Sequence, residues 1–89
     1  MSLCSFNINF TDTPDSLVLK AKTAITNVEH AEFTGDNTTG SFSLPTPLGI
    51  VKGIYFINGQ IATFTITEKS FLIPCGMIEN KIKGYIEQN

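Results

Sequence analysis

The dipeptide Asn58-Gly59 constrains the fold of this chain more than any other feature, because it joins two runs of alternating apolar and polar residues. Asn-Gly readily adopts the positive φ angles of a two-residue β-hairpin turn. The flanking runs, Gly49 to Ile57 and Gln60 to Thr67, therefore predict two antiparallel strands. A turn at Asn58-Gly59 also sets the register. The pairs predicted on one face are Ile57 with Gln60, Tyr55 with Ala62, Gly53 with Phe64 and Val51 with Ile66.

This register divides the side chains of the hairpin between the two faces of a sheet. The face that we expect to form the core carries Val51, Tyr55, Phe64 and Ile66. On the other face Ile54, Phe56 and Ile61 are apolar, with Phe56 opposite Ile61, whereas most other outward positions of the sheet are Ser, Thr or Asn. Exposed apolar patches often mark contact sites. We therefore identify these three residues as a candidate interaction surface, with a loop that folds back over them as the alternative.

Three shorter segments predict the rest of the sheet. Ser5 to Phe10 alternates strictly between apolar and polar residues, which indicates a half-buried strand. Ala31 to Thr34 and Gly40 to Leu44 flank a segment rich in Gly, Asp and Asn, as expected for two strands joined by a turn. Pro45 and Pro47 cannot donate ladder hydrogen bonds, so the chain should bend, lie at an edge or change strand there.

Two segments carry apolar residues at helical spacing. Thr13-Pro14 predicts the start of the first helix, because Thr caps helices and Pro is tolerated at the first helical position. The last helix is expected from Cys75 to Glu87, and its buried stripe would be Ile78, Ile82, Tyr85 and Ile86. The element order is then β-α-β-β-β-β-α. We predict an α+β domain in which a curved antiparallel sheet packs two helices on one face.

Composition narrows the class of function. A chain of 89 residues has room for one core, so we expect a single domain over residues 1–89. The net charge is -2 and the basic residues are dispersed, which argues against a nucleic-acid partner. The sequence has no apolar run of the ~20 residues that a membrane span needs, and it does not start like a signal peptide. We therefore expect no membrane span and a cytoplasmic location.

The residue types that carry chemistry are scarce and scattered. His30 is the only histidine, and a general base needs a nucleophile or an orienting carboxylate held beside it. Cys4 and Cys75 are far apart in sequence and show no metal-ligand spacing. We expect two reduced cysteines, with a disulfide as the alternative. The sequence predicts no catalytic residue, no metal site and no cofactor.

With these elements in place, a set of segments along the chain forms a recognisable pattern: Gly40-Ser41-Phe42-Ser43, Gly49, Gly53, Phe71-Leu72-Ile73-Pro74 and Ile78-Glu79-Asn80-Lys81-Ile82. In these segments the sequence resembles the family of polyhydroxyalkanoic acid system (granule-region) proteins. The resemblance covers nearly the whole chain, mostly at structural positions. It implies a compact bacterial cytosolic domain, similar in outline to a reduced helix-grip fold, and an association with storage granules. No catalytic residues come with the resemblance.

Two functions follow from these observations. The first is a non-enzymatic interaction module, with a homodimer as one form it could take. It would use Ile54, Phe56 and Ile61 on another protein or on a hydrophobic granule surface. The second is a carrier of a small apolar ligand held between the sheet and the last helix. That site would be lined by Tyr55, Phe64, Ile78, Ile82 and Tyr85. Against the carrier, ligand pockets usually measure about 300–1,000 Å³, and a core this small is not expected to leave that space.

Overall fold

The structure, a computed structural model, describes residues 4–87 apart from the side chains of Tyr85 and Glu87. It confirms the α+β fold class and the element order β-α-β-β-β-β-α. The elements are β1 (Cys4–Asn9), α1 (Pro14–Thr26), β2 (Glu32–Gly35), β3 (Thr39–Thr46), β4 (Gly49–Asn58), β5 (Ile61–Glu68) and α2 (Cys75–Glu87).

The five strands form one antiparallel sheet in the order β1-β5-β4-β3-β2. Strands β2 to β5 follow one another as hairpins, and β1 adds to the free edge of β5. Val51, Tyr55, Phe64 and Ile66 are buried, as predicted for the inward face. Apolar residues of α1 and α2 join the same core cluster, so both helices cover this face.

The first helix begins where its sequence predicts. The Thr13 hydroxyl oxygen accepts a hydrogen bond from the backbone N–H of Ser16 at 3.2 Å, and Pro14 is the first helical residue. The predicted bounds of α2, Cys75 to Glu87, are also confirmed. Neither helix within residues 4–87 is long and apolar enough to cross a membrane.

The predicted register of the β4–β5 hairpin is wrong, because the two-residue turn lies one residue further along the chain than predicted. Asn58 pairs with Ile61, and the two-residue turn is Gly59-Gln60. Each β4 residue up to the bulge at Lys52/Gly53 therefore faces a β5 residue two positions further along than predicted, for example Tyr55 opposite Phe64. Because side chains alternate with a period of two, this shift leaves every residue on its predicted face.

Backbone conformation and one side chain explain the shifted turn. Gly59 has φ 63° and Gln60 has a negative φ, the pattern of a type II′ turn with Gly first. The Gln60 amide nitrogen Nε2 donates to the carbonyl oxygens of Phe10 (2.8 Å) and Asp12 (3.1 Å), and the Phe10 N–H donates to the Gln60 carbonyl oxygen (3.0 Å). The turn is therefore fastened to the connection between β1 and α1, which lies about fifty residues earlier in the chain.

The shift also changes which ring covers Gly53. The predicted partner was Phe64, but Gly53 pairs with Phe42 on β3 and with Ile66 on β5. A Cβ at Gly53 would lie 2.7 Å from Phe42 Cζ. The glycine therefore makes room for the Phe42 ring.

Strand β3 continues through Pro45, beyond the predicted end at Leu44. Pro45 pairs with Ile50 and Thr46 with Gly49, and the turn of this hairpin is Pro47-Leu48. Proline is tolerated because β2 pairs with β3 only at residues 40–43. Beyond that point the outer side of β3 is a free edge, where no ladder hydrogen bond is lost.

The expectation of two reduced cysteines is wrong. Cys4 and Cys75 form a disulfide, with their Cα atoms 5.8 Å apart, a separation that disulfides accept. Antiparallel pairing places Cys4 opposite Ile66 near the end of β5, and a short connection then reaches the start of α2. Disulfides persist mainly in oxidising compartments. Reduced cysteines were one reason to expect a cytoplasmic location, so that location now has less support and stays a prediction.

Candidate functional site

An apolar cleft of about 480 Å³ lies between α2 and the β3–β4 hairpin, partly open to solvent. Its lining comes from the segment after α1, the two hairpin strands and their turn, the segment before α2, and α2 itself. The lining residues are Val28, Phe42, Leu44, Pro45, Thr46, Pro47, Leu48, Val51, Ile73, Met77, Ile78, Lys81 and Ile82.

The position of α2 explains why this space is open. The disulfide holds the start of α2 at β1, whereas the β3–β4 turn lies on the other side of β5 in the sheet order. The inward side chains of Leu44 and Val51 near this turn thus form a floor, and Ile78 and Ile82 form a wall. The expectation about a small core concerned space inside it, whereas this cleft lies at the edge of the core and is partly open to solvent.

Two apolar side chains at the rim of the cleft are about half exposed. Leu48 in the β3–β4 turn is 45% exposed and Met77 in the first turn of α2 is 53% exposed. Both are also lining residues, so they border the cleft and meet solvent. An apolar occupant would cover this surface, which water solvates poorly.

The polar groups of the lining are few. The Thr46 hydroxyl donates to the Gly49 carbonyl oxygen at 2.6 Å and accepts from the Leu48 N–H at 3.1 Å, so it is engaged within the turn. Among the described lining residues, Lys81 is the one that carries charge. It is exposed and lies on the same helix as Ile78 and Ile82. The cleft therefore offers an apolar interior with one cationic side chain.

The structure brings together two of the residues predicted for a ligand site. Ile78 and Ile82 line the cleft. Tyr55 and Phe64 instead pack in the core, with ring centroids 6.1 Å apart. The side chain of Tyr85 lies outside the described part of the chain. Of the residues predicted for a ligand site, the cleft therefore includes the two on α2 and neither of the two on the sheet.

Sequence reasoning missed the β3–β4 turn as part of the site. Pro45 and Pro47 predict a bend or an edge, and the structure shows that both also line the cleft together with Leu48. The available signal was Leu48 itself, a large apolar residue in a turn, where polar residues and glycine are usual.

The hydroxyl group of Tyr55 has a partner of its own. It donates to the backbone carbonyl oxygen of Asp36 at 2.6 Å, and burial raises the pKa of Tyr55, with the Asp36 carboxylate adding to the effect. The hydroxyl is therefore used to fasten the β2–β3 turn to β4.

The predicted interaction surface is exposed. Ile54, Phe56 and Ile61 are 48%, 51% and 43% exposed on the sheet face away from the helices. Their cross-strand neighbours are polar: Ile54 faces Thr65, Phe56 faces Thr63 rather than the predicted Ile61, and Ile61 faces Asn58. Within the described chain, the three side chains thus form an apolar strip with polar neighbours.

His30 lies on the surface between α1 and β2. Its Nε2 atom is 3.6 Å from Glu29 Oε1, and both side chains are exposed. Neither residue is among those that line the cleft. Within residues 4–87, no three His, Cys, Asp or Glu side chains converge as a metal site would require.

Comparison of the chain with models of protein families, with curated proteins and with solved structures found no match. The resemblance to polyhydroxyalkanoic acid system proteins therefore stays a prediction.

Proposed function

We propose that this protein binds a small apolar molecule in the cleft between α2 and the β3–β4 hairpin. The observation that carries the proposal is the cleft of about 480 Å³ with an almost wholly apolar lining. Sites for small molecules typically measure about 300–1,000 Å³ and are lined mainly by apolar side chains. This is the ligand-carrier function that the sequence allowed as its alternative, with a site displaced toward β3.

The rim supports the same function. Leu48 and Met77 each expose about half of their surface although they border a concave apolar site. Covering apolar surface contributes about 25 cal/mol per Å², so an occupant of the cleft gains free energy from both walls. A polar occupant would gain less, because the Thr46 hydroxyl is already bonded within its turn.

Titration with Nile red, a neutral apolar dye, tests this proposal. We expect saturable fluorescence enhancement with wild-type protein and at least tenfold weaker binding with Met77→Glu, which places a charge in the lining. Glutamate should be tolerated there, because Met77 is the third residue of α2 and acidic side chains suit the first turn of a helix.

Leu19→Glu is the matched control. Leu19 is an exposed apolar residue of α1 that is not among the lining residues, so this variant should bind the dye as the wild type does. The proposal is overturned if wild-type protein does not bind the dye, or if both variants bind it as the wild type does.

A second candidate function is self-association through Ile54, Phe56 and Ile61. The observation that favours it is their exposure on a sheet face whose neighbouring side chains are polar, since interfaces commonly have an apolar centre and a polar rim. The proposed partner is a second copy of this chain. Burying Phe56 would contribute roughly 1.5–3 kcal/mol to association.

Sedimentation of wild-type protein and Phe56→Glu, with circular dichroism as the check on folding, tests the second candidate. We expect the variant to stay folded and to associate at least tenfold more weakly, whereas Leu19→Glu associates normally. An unfolded variant would show that Phe56 supports the core, and unchanged association would place the contact elsewhere. If the wild type is monomeric but sediments with polyhydroxybutyrate particles through Phe56, the surface binds granules and not a second copy.

A further inference from the structure

We propose that the ligand of the cleft is an amphipathic carboxylate of the fatty-acid class, with its tail in the cleft and its head group beside Lys81. This inference rests on the proposed function and names the class of ligand. The lining supports it, because its apolar and charged groups are unevenly distributed.

The interior of the cleft favours a ligand whose buried tail has no polar groups. Leu44, Val51, Ile78 and Ile82 are buried side chains of the lining, and none of them can donate or accept a hydrogen bond. A polar group placed among them would lose its water without gaining a partner. The buried part of the ligand should therefore be a hydrocarbon.

One end of the ligand meets a cation. Lys81 follows Met77 by four residues and Ile78 by three, so the three side chains share one side of α2. Met77 and Lys81 are both exposed, which places them where the cleft opens to solvent. A carboxylate at this opening would stay hydrated and would be attracted by the ammonium group.

The surroundings of Lys81 leave its charge available. Glu79, the nearest acidic residue in the sequence of α2, pairs with Lys83 at 3.9 Å. Within the described residues Lys81 forms no ion pair, and the described lining contains no acidic side chain. The cleft is thus complementary to a molecule with one negative charge and would repel a positively charged head group.

A comparison of two ligands that differ only in the head group tests the inference. Dodecanoate and dodecanol are titrated as competitors of Nile red, below the critical micelle concentration of dodecanoate and the solubility limit of dodecanol. The proteins compared are the wild type and Lys81→Met, which keeps an unbranched apolar side chain in the lining. We expect the substitution to weaken dodecanoate binding about three- to fivefold, the effect of one exposed ion pair, and to leave dodecanol binding unchanged. The difference should shrink at high salt, because exposed charges are screened.

Lys83→Met is the matched control, since Lys83 lies one half-turn further along α2 and is not among the lining residues. It should bind both ligands as the wild type does. For the tail, affinity should rise about fourfold with each added methylene until the cleft is filled.

Each outcome separates the head-group inference from the function it rests on. If both ligands bind and Lys81→Met weakens neither, or weakens both equally, the carboxylate assignment is overturned and the apolar site stands. If neither ligand binds wild-type protein and Nile red does not bind either, both proposals are overturned.

Discussion

At the scale of single residues, the β2–β3 turn shows how one carboxylate organises a loop. Asp36 Oδ1 accepts hydrogen bonds from the backbone N–H groups of Thr38 (2.9 Å) and Thr39 (3.1 Å). These bonds favour the ionised form, so they hold the pKa of Asp36 below its ordinary value of 3.8. The carbonyl oxygen of the same residue accepts a hydrogen bond from the Tyr55 hydroxyl.

Asp36 should therefore contribute stability that depends on pH. A carboxyl group whose pKa is lower in the folded than in the unfolded state stabilises the fold above the unfolded pKa. That contribution is lost as the pH falls through the folded pKa. We expect the stability of wild-type protein relative to Asp36→Asn to be constant near neutral pH and to decrease between about pH 4 and about pH 2.

Urea unfolding of both proteins across this pH range measures the contribution of the Asp36 charge to stability. The asparagine side chain of the variant keeps an oxygen acceptor but does not titrate, so the variant serves as the reference. A stability difference that stays constant down to pH 2 would contradict it, as would a carboxyl carbon of Asp36 that titrates in NMR at or above 3.8.

Tyr55 shows the limit of prediction at this scale. Alternation placed it correctly on the inward face, but an inward aromatic residue can line a ligand site or fill the core. Contacts distant in sequence decide between the two: the Phe33 ring stacks on Tyr55 at 5.6 Å, and the Tyr55 hydroxyl donates a hydrogen bond to the Asp36 carbonyl oxygen. Neither partner could be identified from the local pattern.

At the scale of elements, structure followed sequence wherever the deciding signal is local. Thr13 and Pro14 fix the start of α1 through a cap and a permitted proline. The bounds of α2, Cys75–Glu87, agree with the helical spacing of its apolar residues. The β4–β5 turn departs from prediction because its register also depends on the Gln60 side chain, which bonds to the chain before α1.

The predicted turn needs a positive φ at both Asn58 and Gly59, whereas the observed turn has one only at Gly59. Gly59 has φ 63° at the first position of the turn, where a β-branched residue is strained. We expect Gly59→Val to destabilise the protein by roughly 1–3 kcal/mol, measured as a shift of the urea midpoint.

Asn58→Thr is the control that distinguishes the two registers. Asn58 is the last residue of β4 and has a negative φ, so a threonine should change stability by less than about 0.5 kcal/mol. In an Asn58-Gly59 turn both central residues need positive φ, and this variant would also be destabilised. Equal losses in the two variants would therefore contradict the observed register.

At the scale of the whole molecule, sequence predicted the layers of the fold but not what lies between them. Periodicity predicts two amphipathic helices and a sheet with one largely apolar face, on which both helices are expected to pack. The cleft and the disulfide depend on where α2 lies over that face, and this follows from the pairing of β1 with β5. That pairing joins segments more than fifty residues apart, and alternation in either strand does not specify its partner.

The disulfide makes the strongest prediction at this scale, because it closes a loop between positions separated by 71 residues. In the chain-entropy description, a cross-link over a loop of this length stabilises the folded state by about 4 kcal/mol. Domains of this size are typically stable by only about 5–15 kcal/mol, so the disulfide would supply a large part of the total. Cys75 is exposed, which lets a thiol reductant reach the bond.

We therefore expect reduction with dithiothreitol to lower the urea midpoint of wild-type protein strongly, and to weaken Nile red binding because the first turn of α2 lines the cleft. The double variant Cys4→Ser with Cys75→Ser should resemble the reduced protein and should not respond to the reductant, which separates loss of the bond from other effects of dithiothreitol. If wild-type protein with both thiols confirmed free by mass spectrometry keeps the midpoint of the oxidised form, the bond does not stabilise the fold. If it keeps that midpoint but loses dye binding, the disulfide acts on the position of α2 rather than on global stability.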